Sequence, residues 1–223
     1  RYGTVAEEIH NRSVCIKDFS DGAFRFLIGR YGSGKSFLIG LIRTNALERG
    51  YVTSDCDLSP DRRFVGRSGQ GLAVYRELMR NLSTKASPDS SALEPILLKW
   101  FSDLQYDEMK KTGLPFDSEE LSKRVEDRIY EACTKLRSYV NGFEFTKVLS
   151  LVYRAHKTGD DELKNDALKW MRGEFTTKIE ARRSLIQVSS IVDDTNWYDY
   201  IKLYAVLFRV IGYNAFVMFV NEC

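Results

Sequence analysis

The stretch "LIGRYGSGKSFLIGLIRTNALERGY", residues 27–51, limits the fold more than any other part of the chain. It runs an apolar segment into a loop with three glycines, a lysine and two serines in eight positions, and then into helix-like spacing. Gly29, Arg30, Tyr31, Gly32, Ser33, Gly34, Lys35 and Ser36 match G-x-x-x-x-G-K-[ST] at every fixed position. Glycines let the backbone turn its N–H groups inward around a phosphate, and the helix that follows points its positive end at the same place. Lys35 is placed for the β- and γ-phosphates, the Ser36 hydroxyl for Mg²⁺, and Phe37 completes the binding segment. The competing reading is a chance glycine turn. The apolar run before it and the amphipathic run after it are the context that the motif demands, so the loop predicts a nucleoside triphosphate ligand.

The flanking pattern extends the prediction. "FRFLI" (24–28) reads as a short buried strand ended by Gly29. Phe37, Leu38, Leu41, Ile42, Ala46 and Leu47 recur at helical spacing, and Gly50 is the stop. "YVTSDCDLS" (51–59) reads as a second strand broken by Pro60, which completes a βαβ unit with a parallel crossover. "LAVYRELMRNL" (72–82) is helical, and "STKASPDSSA" is a polar connector.

From about Leu93 to Arg183 the chain reads as helices only. "LEPILLKWFSDL", "SEELSKRVEDRIYEACTKLRSYV", "FEFTKVLSLVYRAH" and "DELKNDALKWMRG" are the clearest, and Asp117 with Glu120 gives the second a capping-box-like start. "RSLIQVSSIV" reads as a short strand or an extended loop. Asp193 or Asp194 is the expected cap of the helix "NWYDYIKLYAVLFRVIG", and "NAFVMFV" returns to an apolar strand. The expected organisation is therefore a nucleotide-binding core over 1–84, a helical insertion over 85–183, and a return to the core over 184–223.

Composition narrows the classes less sharply. With 33 Lys+Arg against 31 Asp+Glu, the net charge of +2 gives no general reason to expect a nucleic-acid or membrane partner. Cys15, Cys56, Cys133 and Cys223 lack the close pairing of zinc or redox motifs and read as reduced, mostly buried thiols. No apolar run is long enough to span a bilayer and no signal peptide opens the chain, so a cytoplasmic location is expected. The absent initiator Met and the stop after "AFVMFVNEC" read as cut ends. His10 and His156 stand alone.

A phosphate loop needs a second, metal-side carboxylate at the tip of a neighbouring strand. "FVMFVNEC" has that form, with Asn221 and Glu222 after the apolar residues. The catalytic-glutamate branch of such proteins places Asp then Glu there, the Glu orienting and deprotonating the attacking water. Glu222 fits that role. Asn221 departs from the pattern, keeping an oxygen for a metal or its water but losing a full negative charge. Asp55 and Asp57, at the end of the second strand, are alternative metal-side groups, although a solvated strand end is the plainer reading. Arg62, Arg63 and Arg67, among Gly66, Gly69 and Gly71, form a basic loop that reads as solvated surface before it reads as a phosphate contact. Trp100, Phe101, Tyr130, Trp170, Trp197 and Tyr204 sit at helical spacing among Leu and Val and mark core before base stacking.

The long helical gap between Lys35 and Glu222 resembles the AAA+ and related signal-transduction ATPases rather than a compact nucleotide kinase. More narrowly, "RYGTV", "GRYGSGKSF", "ALERGYVTSDCDLSPDRR", "GQGLAVYRELMRNLST" and "IGYNAFVMFVNE" resemble the BREX-type ATP-binding family, bacterial P-loop proteins of phage-exclusion and tellurite-resistance gene neighbourhoods. The resemblance implies an α/β P-loop NTPase, AAA+-like, with a parallel sheet core, a large helical insertion and a cut after the Walker B strand. It further implies ATP and Mg²⁺ as ligands, hydrolysis that drives a switch or motor, and protein partners or a homo-oligomer, with DNA left open. By that resemblance Gly29, Gly34, Lys35 and Ser36 carry over as phosphate and Mg²⁺ ligands and Glu222 as the water-activating acid, with "RYGTV" near the adenine. Asn221 keeps a second reading alive, a regulatory module that holds nucleotide and hydrolyses it negligibly. A small-molecule phosphotransferase is the third, for which only Asp55, Asp57 and the Arg62 loop supply an acceptor site.

Overall fold

A computed structural model describes residues 23–64 and 69–222, the side chain of Glu222 excepted. Helix α1 (Lys35–Glu48) leaves the glycine loop at Gly34, whose φ of 87° places it in the left-handed region. A tight reversal, with the Tyr51 amide donating to the Ala46 carbonyl at 3.0 Å, feeds β1 (Val52–Leu58) back along α1. Strand β1 pairs in parallel with β2 (Phe216–Glu222), from Val52 opposite Phe216 to Asp57 opposite Asn221 and Leu58 opposite Glu222. Its other edge meets the chain at one antiparallel bridge, where Thr53 and Ser83 exchange two backbone hydrogen bonds at 2.9 and 2.8 Å.

Strand period two divides β1 between its neighbours. Asp55 faces α1, where Arg43 lies 3.3 Å from its carboxylate. Ser54 faces α2 (Gln70–Arg80), and its hydroxyl donates to the Leu78 carbonyl at 2.6 Å, so a buried polar residue is satisfied. Helices thus lie on both faces of β1, but the expected βαβ unit is not formed among the described residues, because its first strand is missing.

The helical region follows the sequence pattern closely. In α3 (Leu93–Thr112), Ile96, Leu97, Trp100, Phe101 and Gln105 are buried at helical spacing, and Gly113, at φ 71°, ends it in an αL cap. Helix α4 (Glu119–Ala132) buries Leu121, Val125 and Ile129 on one stripe. Its cap is Ser118, whose Oγ accepts from the Leu121 amide at 3.1 Å, in place of the expected Asp117. A 3₁₀ turn (Leu136–Ser138) leads to α5 (Gly142–Thr158) and α6 (Asp161–Met171), the latter capped by Asp160. Short α7 (Lys178–Arg183) precedes a loop that holds "LIQVSS" without strand pairing, and α8 (Trp197–Ile211) leads into β2.

One contiguous core joins these layers, from Val52 and Cys56 of β1 through Tyr75, Phe101 and Phe145 to Trp170, Tyr204 and Phe208. Three of its aromatic polar tips are paired with backbone carbonyls. The Tyr75 and Tyr204 hydroxyls both donate to the Met171 carbonyl, at 2.6 and 2.9 Å, and the Trp170 ring N–H donates to the Ser190 carbonyl at 2.7 Å. Trp100, Phe101, Trp170 and Tyr204 are buried, as core aromatics should be, whereas Tyr130 is exposed.

Two further expectations need correction. "FRFLI" is not a strand: residues 24–28 carry no regular structure, and Phe24, Phe26 and Ile28 are 80 to 91% exposed. A strand exists through its ladder, and among the described residues the sheet consists of β1 and β2 alone, with no neighbour for this run. The cap of α8 is neither Asp193 nor Asp194 but Asn196. Asp193 turns its carboxylate onto the amide and hydroxyl of Thr195, while Asp194 reaches across to the start of α2, accepting from the Gly69 and Leu72 amides.

Candidate functional site

Every glycine of the loop has a local reason. Gly32 and Gly34 lie at φ 76° and 87°, a region that costs an L-residue with a Cβ roughly 1–2 kcal/mol. A Cβ on Gly29 would meet the Ser33 hydroxyl at 2.6 Å, so that hydroxyl closes over bare backbone. The turn is locked by the Ser33 amide donating to the Arg30 carbonyl at 3.1 Å.

Lys35 points into this turn. Its ammonium donates to the carbonyls of Gly29 at 2.9 Å and Arg30 at 3.0 Å, so the positive charge sits inside the loop. The first turn of α1 has no side-chain cap and no acidic residue, which leaves its amides and the helix dipole open to an anion. A cavity of about 230 Å³ lies here, walled by Leu27, Ile28, Gly29, Ser33, Gly34 and Lys35 and backed by Leu38. That is below the roughly 300–1,000 Å³ of whole-ligand pockets. Ser36 and Phe37 are exposed beside it, and Tyr31 projects fully into solvent.

The second group of candidates lies at the strand ends. The Asn221 side-chain amide donates to Asp57 Oδ1 at 3.0 Å across the β1–β2 pair. Asp55 is held by Arg43, and its carboxyl is raised above the ordinary value, burial outweighing the attraction of that guanidinium. Arg43 also donates to the Ser83 hydroxyl at 3.0 Å and the Pro88 carbonyl at 3.1 Å. Asp55 is thus a structural anchor between α1 and β1.

Arg62, the first member of the basic loop, is 3.2 Å from Glu77 of α2 rather than turned toward a ligand. Gly66, Arg67, His10 and the segment "RYGTV" lie outside the described residues, as do Cys15 and Cys223. Glu222 is placed by its backbone as the last residue of β2, opposite Leu58. Among the described residues no group of three or more His, Cys, Asp or Glu side chains is arranged for a metal ion, and no helix is long and apolar enough to cross a membrane.

The Asp57–Asn221 bond is the feature that the sequence reading did not pair. The signal is present in part, since both residues sit near the ends of the two runs that the sequence marks as strands. Their partnership depends on the register of a parallel pair separated by 164 positions, which spacing does not encode.

The described residues combine helices with a two-stranded parallel sheet, and a glycine loop seats a lysine at the uncapped start of α1. The family is particular. The family model described as BREX system ATP-binding protein BrxC/D matches residues 11–223, and the chain belongs to that family. Neither a curated relative nor a solved structure matches the chain.

Proposed function

We propose that the chain binds ATP through residues 29–37 and hydrolyses it, acting as a nucleotide-driven switch or motor in a BREX defence system. The observation that carries this reading is the Lys35 ammonium seated on the Gly29 and Arg30 carbonyls at the open N-terminus of α1. A polyphosphate entering the loop exchanges those carbonyls for stronger, charge-assisted contacts to Lys35. The loop amides then hold the β- and γ-phosphates, with the α1 dipole behind them.

The donor set suits magnesium, which binds through one or two protein groups plus substrate phosphates rather than through a protein cage. Ser36 supplies the hydroxyl ligand and the strand ends supply the outer acceptors. When bound, magnesium neutralises charge on the phosphates. Glu222 orients the attacking water and takes its proton, and Lys35 steadies the charge that develops on the γ-phosphate.

The second reading, a nucleotide-holding regulatory module with negligible turnover, is favoured by one observation: residue 221 is an amide already engaged with Asp57. Steady-state phosphate release separates the two. Release by the native chain well above that of Lys35→Ala supports hydrolysis, and equal background rates with ATP still bound by the native chain leave the module.

A further inference from the structure

We propose that Asp57, held by Asn221, presents the metal-side carboxylate of the phosphate loop, so that acid and amide have exchanged places between the two strand ends. This rests on the nucleotide reading above. In the parallel pair Asp57 lies directly opposite Asn221, so both side chains leave the same face of the sheet. The Asn221 amide donates to Asp57 Oδ1 at 3.0 Å, which fixes the carboxylate while leaving its second oxygen for another partner. Among the described residues no Lys or Arg pairs with Asp57, whereas Asp55, on the same face two positions earlier, is held by Arg43.

Direction places the carboxylate at the correct end. Helix α1 and β1 run antiparallel, tied at Tyr51–Ala46 and again at Asp55–Arg43. Beyond that second tie, β1 advances roughly 7 Å to Asp57 at strand rise, and α1 returns roughly 10 Å to Ser36 at helical rise. Both progress the same way, so Asp57 and the first turn of α1 finish at one edge of the sheet.

Charge explains why residue 221 is an amide. An aspartate there would set two carboxylates within hydrogen-bond distance, and neither could hold the other in place. Asparagine is the neutral donor of nearly the same shape. It keeps one negative charge at the paired tips and fixes its position.

The test is ATP affinity measured by titration calorimetry, with excess magnesium and with EDTA. The chains compared are native, Asp57→Asn, Asn221→Ala and the exchange variant Asp57→Asn/Asn221→Asp, each checked for native far-ultraviolet dichroism and melting. Asp57→Asn should keep its magnesium-free affinity and lose the magnesium-dependent gain by about tenfold or more, the range expected when a metal's carboxylate support is removed. Asn221→Ala should lose part of the gain, and the exchange variant should recover most of it. A native magnesium gain in Asp57→Asn overturns the proposal, as does an exchange variant no better than Asp57→Asn alone. A native chain that binds no ATP under either condition overturns the nucleotide reading itself, a different and recognisable result.

Discussion

Lys35 makes its bonds to exposed loop carbonyls, so removing it should leave the folded chain almost untouched. Lys35→Ala is expected to unfold within about 0.5 kcal/mol of the native chain in the absence of nucleotide, as surface changes usually do. The difference should appear only with ligand. At an ATP concentration one hundred times the dissociation constant, the native chain should gain about 2.7 kcal/mol of stability and the variant almost none. Chemical denaturation with and without ATP and magnesium reads both quantities. Gly34 offers the complementary case, because its φ of 87° is a requirement of the backbone rather than of a side-chain contact. Gly34→Ala should weaken ATP binding by roughly tenfold, the equilibrium equivalent of about 1–2 kcal/mol of left-handed strain. The loop was readable from sequence because glycine, lysine and serine identities themselves dictate its shape. The Asp57–Asn221 contact was not, because the same two residues would face apart if the strands slipped by one position.

Among the elements, helix identities were legible and their ends were less so. Stripes such as Leu121, Val125 and Ile129 commit a segment to one buried face whatever surrounds it. Caps are decided by a single side chain's reach, which is why Ser118 replaces Asp117 and why Asp194 serves α2 rather than its own helix. "FRFLI" failed for a different reason: apolar composition licenses a strand, but a ladder has to be supplied by another segment. Asp194→Ala should cost about 1 kcal/mol by leaving the Gly69 and Leu72 amides uncapped, measured by urea denaturation. Glu180 gives a pH-dependent counterpart. It binds Lys169 at 2.6 Å and the amide and hydroxyl of Thr176, and these contacts, Lys169 first, lower its carboxyl to about 2. A lowered carboxyl stabilises the fold fully above its unfolded value near 4.5 and loses that contribution as pH falls toward about 2. Glu180→Gln should therefore melt below the native chain at pH 7, and the two melting curves should converge as the pH is lowered through that window.

At the scale of the whole molecule, the described helices and the strand pair share one core. Phe145 of α5 packs against Tyr200 and Tyr204 of α8 at ring separations of 6.3 and 5.1 Å, Trp170 of α6 meets Tyr200 edge-on at 5.5 Å, and Phe208 of α8 meets Phe216 of β2 edge-on at 5.2 Å. Hydrophobic periodicity shows which face of a helix is buried but not which element buries it, so this continuity was invisible in the chain. Two thiols report on it. Cys56 lies in β1, its thiol pushed up to about 11 by burial and then by Glu77, and Cys133 lies at the end of α4, pushed up to about 12 by burial. Both are covered, so at pH 8 neither should react with iodoacetamide until the structure around it opens. If the core is one cooperative unit, the two should be alkylated at the same rate, once corrected for the intrinsic reactivity of matching peptides. Both rates should also rise with denaturant on the slope of global unfolding. Mass spectrometry of a Cys15→Ser/Cys223→Ser variant resolves the two sites. Faster labelling of Cys133, with a shallower denaturant slope, would mean that the helices open without the strands and that the shared aromatic contacts do not couple them.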